Sequence, residues 1–251
     1  MLMLSHASEV KREDLIKIAT PAPTDTWRPI PHHQVVNTLL DRARMRGLCV
    51  KSERYAVLPG AIHVESGVQI PLLGARMFGS LDFEPIQGVP FPVGCTPSAG
   101  IRNSHDKTFA LSILSGARVM VCANGVLHAE HIVSRKHTSG IELKTEIDRA
   151  LDAFMDSIKQ FRATYERLKS ARVSKAKAHS LIVEMARAGA FPSSHILPVV
   201  QEFEHPRHDE FRDSTAWSLY NAATEKMKDQ SPGRQAEAFK GLNAVLMALL
   251  N

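Results

Sequence analysis

Six consecutive polar residues, Arg102, Asn103, Ser104, His105, Asp106 and Lys107, stand directly before two apolar, β-prone runs, FALSIL and ARVMVCA. Their side chains supply donors, acceptors and an imidazole that titrates near neutral pH. Arg102 and Lys107 flank the group and could hold a phosphate while Asn103, His105 and Asp106 orient it. The competing reading is a turn between strands in which Asn103 and Asp106 bond their own backbone. Both readings stand at this level.

A second group of titratable residues follows in VLHAEHIVSRKHTSG, with His128, His131 and His137. A three-residue gap could put two imidazoles on one helical face, as metal ligands sometimes require. However, the neighbouring apolar residues keep no helix or strand period, and the spacing is not HExxH. The segment Arg135-Lys136-His137-Thr138 is better described as a positively charged loop, and no metal is assigned. GxSxG, GxxxxGK[ST] and GxGxxG are absent, so neither a serine nucleophile nor nucleotide hydrolysis is expected. No cofactor is implied.

Charge is concentrated rather than spread. The net +5 divides as +2 over residues 1–134, +5 over 135–190 and −2 over 191–251. Between Lys159 and His179 seven basic residues face one acid, Glu166, a local +6. Such a segment argues for an anionic partner. Arg135, Lys136, Lys159, Arg162, Lys169, Arg172, Lys175 and Lys177 are the candidate phosphate contacts. Arg102, Asn103, His105, Asp106 and Lys107 form a second candidate surface. Aromatic residues are only 6% of the chain, and Trp27, Tyr55, Phe78 and Phe83 are the few that could stack on bases.

The elements that must position these groups follow from hydrophobic period. Residues 1–20 carry a weak pattern of a short helix. Prolines then mark an extended lead-in, and Val35, Val36, Leu39, Leu40 and Ala43 predict a helix from Pro31 to about Arg46, closed by Gly47. Residues 48–125 predict four or five antiparallel strands, at LCVKSERYAVL, GARMFGSLDFE, PFPVG, FALSIL and ARVMVCA. Pro59, Pro71, Pro85, Pro90, Pro92 and Pro97 belong in their turns or edges. Asn124-Gly125 reads as a turn.

From Ile141 the chain reads as helical. Ile147, Leu151, Phe154, Ile158, Phe161, Tyr165 and Leu168 alternate four and three apart, a narrow stripe that packs on the sheet or forms a subunit contact. Ser174 predicts an N-cap for a helix ending at Gly189, and further helices are expected at 195–204, 215–228 and 234–250. The expected class is α+β: residues 1–30 an extension, 31–140 a helix plus antiparallel sheet, and 141–251 a helical region packed on it. Cys49, Cys95 and Cys122 fit neither a disulfide framework nor a metal pair and are expected to be buried free thiols. No apolar run approaches the ~20 residues of a membrane span, and the four-residue apolar start is too short for a signal-peptide core. A cytoplasmic protein away from membranes is expected.

With those residues in view, the chain resembles an uncharacterised family of phage- and plasmid-borne proteins, domain of unknown function nine hundred thirty-two. The resemblance rests on PTDTWRPIPHHQVVNTL, GIRNSHDKTFAL, SGARVMVCANG and RKHTSG, with a weaker echo in WSLYNAATE, together most of residues 21–225. It implies a mobile-element setting and a compact domain, and no particular activity. The function expected on this basis is nucleic-acid binding without catalysis, single-stranded DNA before duplex, in recombination or strand annealing, with a homo-oligomer as a natural assembly. Two other classes remain open: an interaction protein that counteracts a host defence factor, and a metal-assisted nuclease around Asn103, His105 and Asp106.

Overall fold

Long antiparallel pairing dominates the first half of the chain. The computed structural model describes residues 7–63, 69–120, 125–127, 133–138, 141–228 and 230–250. Strands β1 (Ser8–Val10), β2 (Val50–His63), β3 (Gln69–Phe83), β4 (Cys95–Ser104) and β5 (Leu111–Val119) lie in sequence order, each antiparallel to the next. Two short strands share the far edge of β5. β6 (Gly125–Leu127) pairs with Gly116 to Arg118, and β7 (Val133–Arg135) pairs with Leu111 to Ile113.

Pro59, Pro71 and Pro97, expected in turns or at edges, lie inside β2, β3 and β4, but where pairing on one side is interrupted: Pro59 falls at the register shift between Leu58 and Gly60, and Pro71 and Pro97 are paired on one side only. β4 pairs with β3 only as far as Asp82↔Ser98, so Pro97 lies just beyond the last β3 partner. Likewise the β4 ladder stops at Arg76↔Ser104, and Pro71 lies past it. A residue without a donor is tolerated at such positions. PFPVG is not a strand: Phe91 to Gly94 form a loop, because two prolines in three residues remove two donors and Gly94 turns at φ +80°. The N-terminal segment, expected as a short helix, forms β1 and then a six-residue 3-10 helix over Arg12–Lys17. Edge pairing of Glu9 with Ala56 overrides a weak helical period.

Helix α1 (His32–Met45) buries Val35, Val36, Leu39, Leu40 and Ala43 along one stripe. Pro31 caps it rather than opening its first turn, and Gly47 closes it at φ +73°. Every residue of the seven-residue repeat is buried on α2 (Leu143–Ser170), and the stripe is divided between two cores. Ile147, Leu151, Phe154 and Ile158 join Tyr55, Met77, Leu81, Ile101 and Ile113 of the sheet and the apolar face of α1. Phe161, Tyr165 and Leu168 join the core of the helical half. That half comprises α3 (Lys175–Arg187), α4 (Ile196–Glu204), α5 (Ala216–Met227) and α6 (Pro232–Leu250). Ser174 caps α3, accepting from Lys177 N at 3.3 Å, as its position predicts. The class is α+β. No helix among the described residues is long and apolar enough to cross a membrane.

The thiols depart from expectation. Cys49 is exposed, because it lies in the connector between Gly47 and β2 rather than on an apolar face, and Cys95 is half-buried. Cys122 and Asn124 lie outside the described residues.

Helix α6 crosses the end of α3 at a glycine. A Cβ on Gly241 would stand 3.0 Å from the Ala188 carbonyl carbon and 3.2 Å from the Ala190 nitrogen, with the Ala188 oxygen closer still. Backbone cannot yield as a flexible side chain does. Gly241→Ala is expected to lower unfolding stability by about 1–3 kcal/mol, read from the midpoint of urea denaturation. A change within experimental error would mean that the crossing is loose.

Candidate functional site

Strand alternation divides the polar run of residues 102–107. Asn103 follows Ile101 on the sheet face beneath α1, whereas Arg102 and Ser104 point to the opposite face. Asn103 and His105 are fully buried, and Arg102 is 9% exposed. They therefore form no open phosphate-binding surface. Asn103 instead donates its amide to the Ile30 carbonyl and to His32 Nδ1, both at 2.8 Å. His105 Nε2 donates to the same carbonyl at 3.0 Å, and the Ile30 N–H donates to His137 Nδ1 at 3.3 Å. The rings of His32 and His105 stack face to face, 3.8 Å apart and 2° from parallel.

These bonds fix the tautomers. His32 Nδ1 accepts from an amide, so its proton sits on Nε2 and goes to the Gly74 carbonyl at 2.9 Å. His137 accepts at Nδ1, which puts its proton on Nε2, a buried atom without a partner among the described residues. A protonated nitrogen is no metal ligand. His128 and His131, the other histidines of that segment, lie outside the described residues. Among the described residues no group of three His, Cys, Asp or Glu could hold a metal. Burial is the first cause of low basicity in all three rings. It lowers His32 to about 3 and His137 to about 4, with His105 adding repulsion to each. His105 is lowered too, although the Ile30 and Ala19 carbonyls favour its charged form.

The rest of the run is a turn. Asp106 accepts from the Thr108 N–H at 3.1 Å and from Arg76 Nε at 2.7 Å. Its pKa is lowered, since these hydrogen bonds outweigh the opposing burial. Lys107 adopts φ +61° and extends its ammonium over the Trp27 ring, 4.8 Å from the centroid. Arg102 lies over Phe109 at 5.3 Å. Thus Asn103, His105 and Asp106 hold main chain and a neighbouring guanidinium.

The cations of the second half divide into paired and unpaired. Arg135 meets Glu146 at 2.9 Å, Lys159 meets Asp156 at 3.2 Å, and Lys175 meets Glu204 at 3.6 Å. Arg172 donates to the Asp213 carbonyl, and Lys169 lies over Tyr165. Lys136, Arg162 and Lys177 are exposed and have no carboxylate within 4.0 Å among the described residues. The expectation that Glu166 alone interrupts the basic segment is corrected: Glu204 arrives from α4, and Asp156 from the preceding turn of α2.

The structure also brings together residues that sequence spacing did not connect. Arg28 N donates to the His137 carbonyl at 3.0 Å, which seats the proline-rich lead-in beside the 135–138 loop. A cleft of about 400 Å3 opens there, lined by Arg28, Gln34, Thr38 and Lys144, with Glu142 on its wall. Arg28 and Lys144 thus meet at the start of α2, and Trp27, the residue before Arg28, carries Lys107 over its ring. Asp82 is a further unforeseen centre, accepting from Ser52 at 2.6 Å, Ser98 at 2.7 Å and Arg118 at 2.8 Å. Only the register Ser52↔Asp82↔Ser98 makes them neighbours.

Comparison with protein families matches residues 98–247 to "Domain of unknown function (DUF932)". Asn103, His105 and His137 fall inside that span, and Trp27, Ile30 and His32 precede it. No curated protein and no solved structure matches the chain.

The depressed histidines set the sign of a pH dependence. Their folded values lie below the ordinary ~6.5, so the unfolded chain binds more protons as pH falls. Stability is complete above about pH 6.5 and declines below it, towards pH 4 for His137 and 3 for His32. The expected slope is up to about 1.4 kcal/mol per pH unit for each histidine. Urea unfolding at neutral and mildly acidic pH checks this, and His137→Gln is expected to flatten the slope. Equal midpoints at both pH values would contradict neutral, buried rings.

Proposed function

The chain belongs to the DUF932 family, and we propose that it binds nucleic acid, single-stranded DNA before duplex, as a non-catalytic annealing or recombination protein of a mobile element. The observation that carries this reading is electrostatic. Lys136, Arg162 and Lys177 are exposed without carboxylate partners among the described residues, and Lys169 and Arg172 add charge whose contacts are to a ring and a carbonyl. Arg135 shares Glu146 with Arg149, so that cluster keeps an excess positive charge. Polyanions gain from such groups by releasing their condensed counterions. The mobile-element setting rests on the resemblance alone.

A hydrolytic centre at Asn103, His105 and Asp106 draws little support, since Asn103 and His105 are fully buried, Asn103 Nδ2 and His105 Nε2 are bonded to main chain, and Asp106 holds Arg76. Metal-assisted phosphodiester cleavage also calls for converging carboxylates, and among the described residues no group of three His, Cys, Asp or Glu could hold a metal.

Fluorescence anisotropy with single- and double-stranded oligonucleotides at two salt concentrations tests the proposal. Five phosphate contacts, from Lys136, Arg162, Lys169, Arg172 and Lys177, imply a slope of log K against log salt of about −3.5 on single strands. The pair Arg162→Ala and Lys177→Ala is expected to flatten it by about 1.4. Affinity that does not change with salt sinks the proposal. One stoichiometric host protein in a pull-down, without DNA affinity, would favour the interaction-protein reading instead.

A further inference from the structure

Cations bind duplex and single strand alike, so a preference for unpaired DNA needs a group that reaches a base face. The chain has two tryptophans. Trp217 is buried between Tyr165, 4.9 Å away and edge-on, and Tyr220 at 5.8 Å. Trp27 is half-buried and lies outside that core, on the lead-in before α1.

Its mounting is specific. Thr24 N donates to the Trp27 carbonyl at 2.8 Å, and the next residue, Arg28, donates its N–H to His137. The main chain that carries the indole is thus bonded at Trp27 itself and at the next residue. Over it stands the Lys107 ammonium, and Lys107 has a left-handed backbone at φ +61°. A lysine there is strained where glycine or asparagine would not be. The strain has a visible result, a cation placed over an aromatic face. One residue further, Arg28 and Lys144 line the cleft of about 400 Å3, with Gln34 and Thr38 offering hydrogen bonds. Aromatic ring, cation and basic cleft lie within the reach of one or two nucleotides.

We propose that Trp27 is the stacking platform for an unpaired base, with Lys107, Arg28 and Lys144 taking the phosphates on either side of it. This rests on the nucleic-acid reading above and specifies where strand preference arises. A base within a duplex is already stacked on both faces and cannot enter. The single strand threads its base onto the indole, and Glu142 sets the limit of the anionic path at the cleft wall.

The experiment uses the full chain with oligothymidylate, whose bases stack weakly on one another, and a matched duplex. Intrinsic fluorescence and anisotropy are read together at low salt. Oligothymidylate is expected to quench the wild-type emission. Trp27→Phe keeps a ring, and so keeps most of the affinity, but abolishes the quenching because Trp217 is buried. Trp27→Ala is expected to weaken oligothymidylate by about 5- to 150-fold, while changing duplex affinity by less than about twofold. Lys107→Gly relaxes the backbone and removes the cation, so it is expected to weaken single-strand binding without loss of thermal stability. Undiminished oligothymidylate binding by Trp27→Ala, with no quenching in the wild type, overturns the stacking proposal and leaves the cationic-face reading intact. If the wild type binds neither DNA, both fall.

Discussion

One residue, Ile30, joins the separate parts of the polar network through the two peptide groups that flank it. The carbonyl of Ile30 accepts from Asn103 and His105 at the end of β4, and its N–H donates to His137 beyond β7. Ile30 itself is 6% exposed, so its polar atoms have little access to water and must be satisfied by protein. The imidazoles of His105 and His137 and the Asn103 amide meet that demand, and the third ring, His32, accepts from the same amide. Two of the rings stack, a geometry that would be repulsive if both were charged, so the low basicity of the histidines and the position of the lead-in are one fact. Helix α1 begins two residues later. Where Ile30 is held, the start of α1 is held, and α1 in turn meets α2 through Arg42 and Arg46 on Asp148.

The parts of the fold with a strong one-dimensional period were legible in the sequence. The stripe from Ile147 to Leu168 predicts α2 and its buried face, and Val35 to Ala43 predicts α1, because each apolar residue recurs on the period of the helix. Ser174 and Gly47 mark helix ends through local chemistry, which needs no tertiary information. What the period could not show is that α2 serves two cores, since an apolar residue looks the same whichever neighbour covers it. The N-terminal segment failed for a related reason: β1 exists only because β2 offers it an edge, and that partner lies far along the chain.

The candidate site was legible in composition and not in arrangement. A run of six polar residues looks like one surface when written as a line. On a strand it is divided between two faces, so Asn103 and Arg102 have opposite environments although they are adjacent. The turn chemistry of Asp106 was readable because an Asx contact is local, spanning two residues. The histidine network was not, because His32, His105 and His137 approach through three different elements. Charge pairing shows the same limit. The basic segment from Lys159 to His179 is nearly free of acids in sequence, yet Glu204 of α4 faces both Lys175 and His179.

Pairing reduces the exposed positive charge of the second half without removing it. Glu146 is shared by Arg135 and Arg149, and a carboxylate divided between two guanidiniums neutralises one of them. Such a shared ion pair also holds its guanidiniums in place, lowering the side-chain entropy lost when a phosphate arrives. Lys136, Arg162 and Lys177, exposed and without a carboxylate within 4.0 Å among the described residues, have no such restraint. Rigidity at Ile30 extends this logic to the lead-in. An aromatic platform discriminates only if it does not move away from the base it meets, and Trp27 is three residues from Ile30, whose N–H and carbonyl are both bonded to buried side chains.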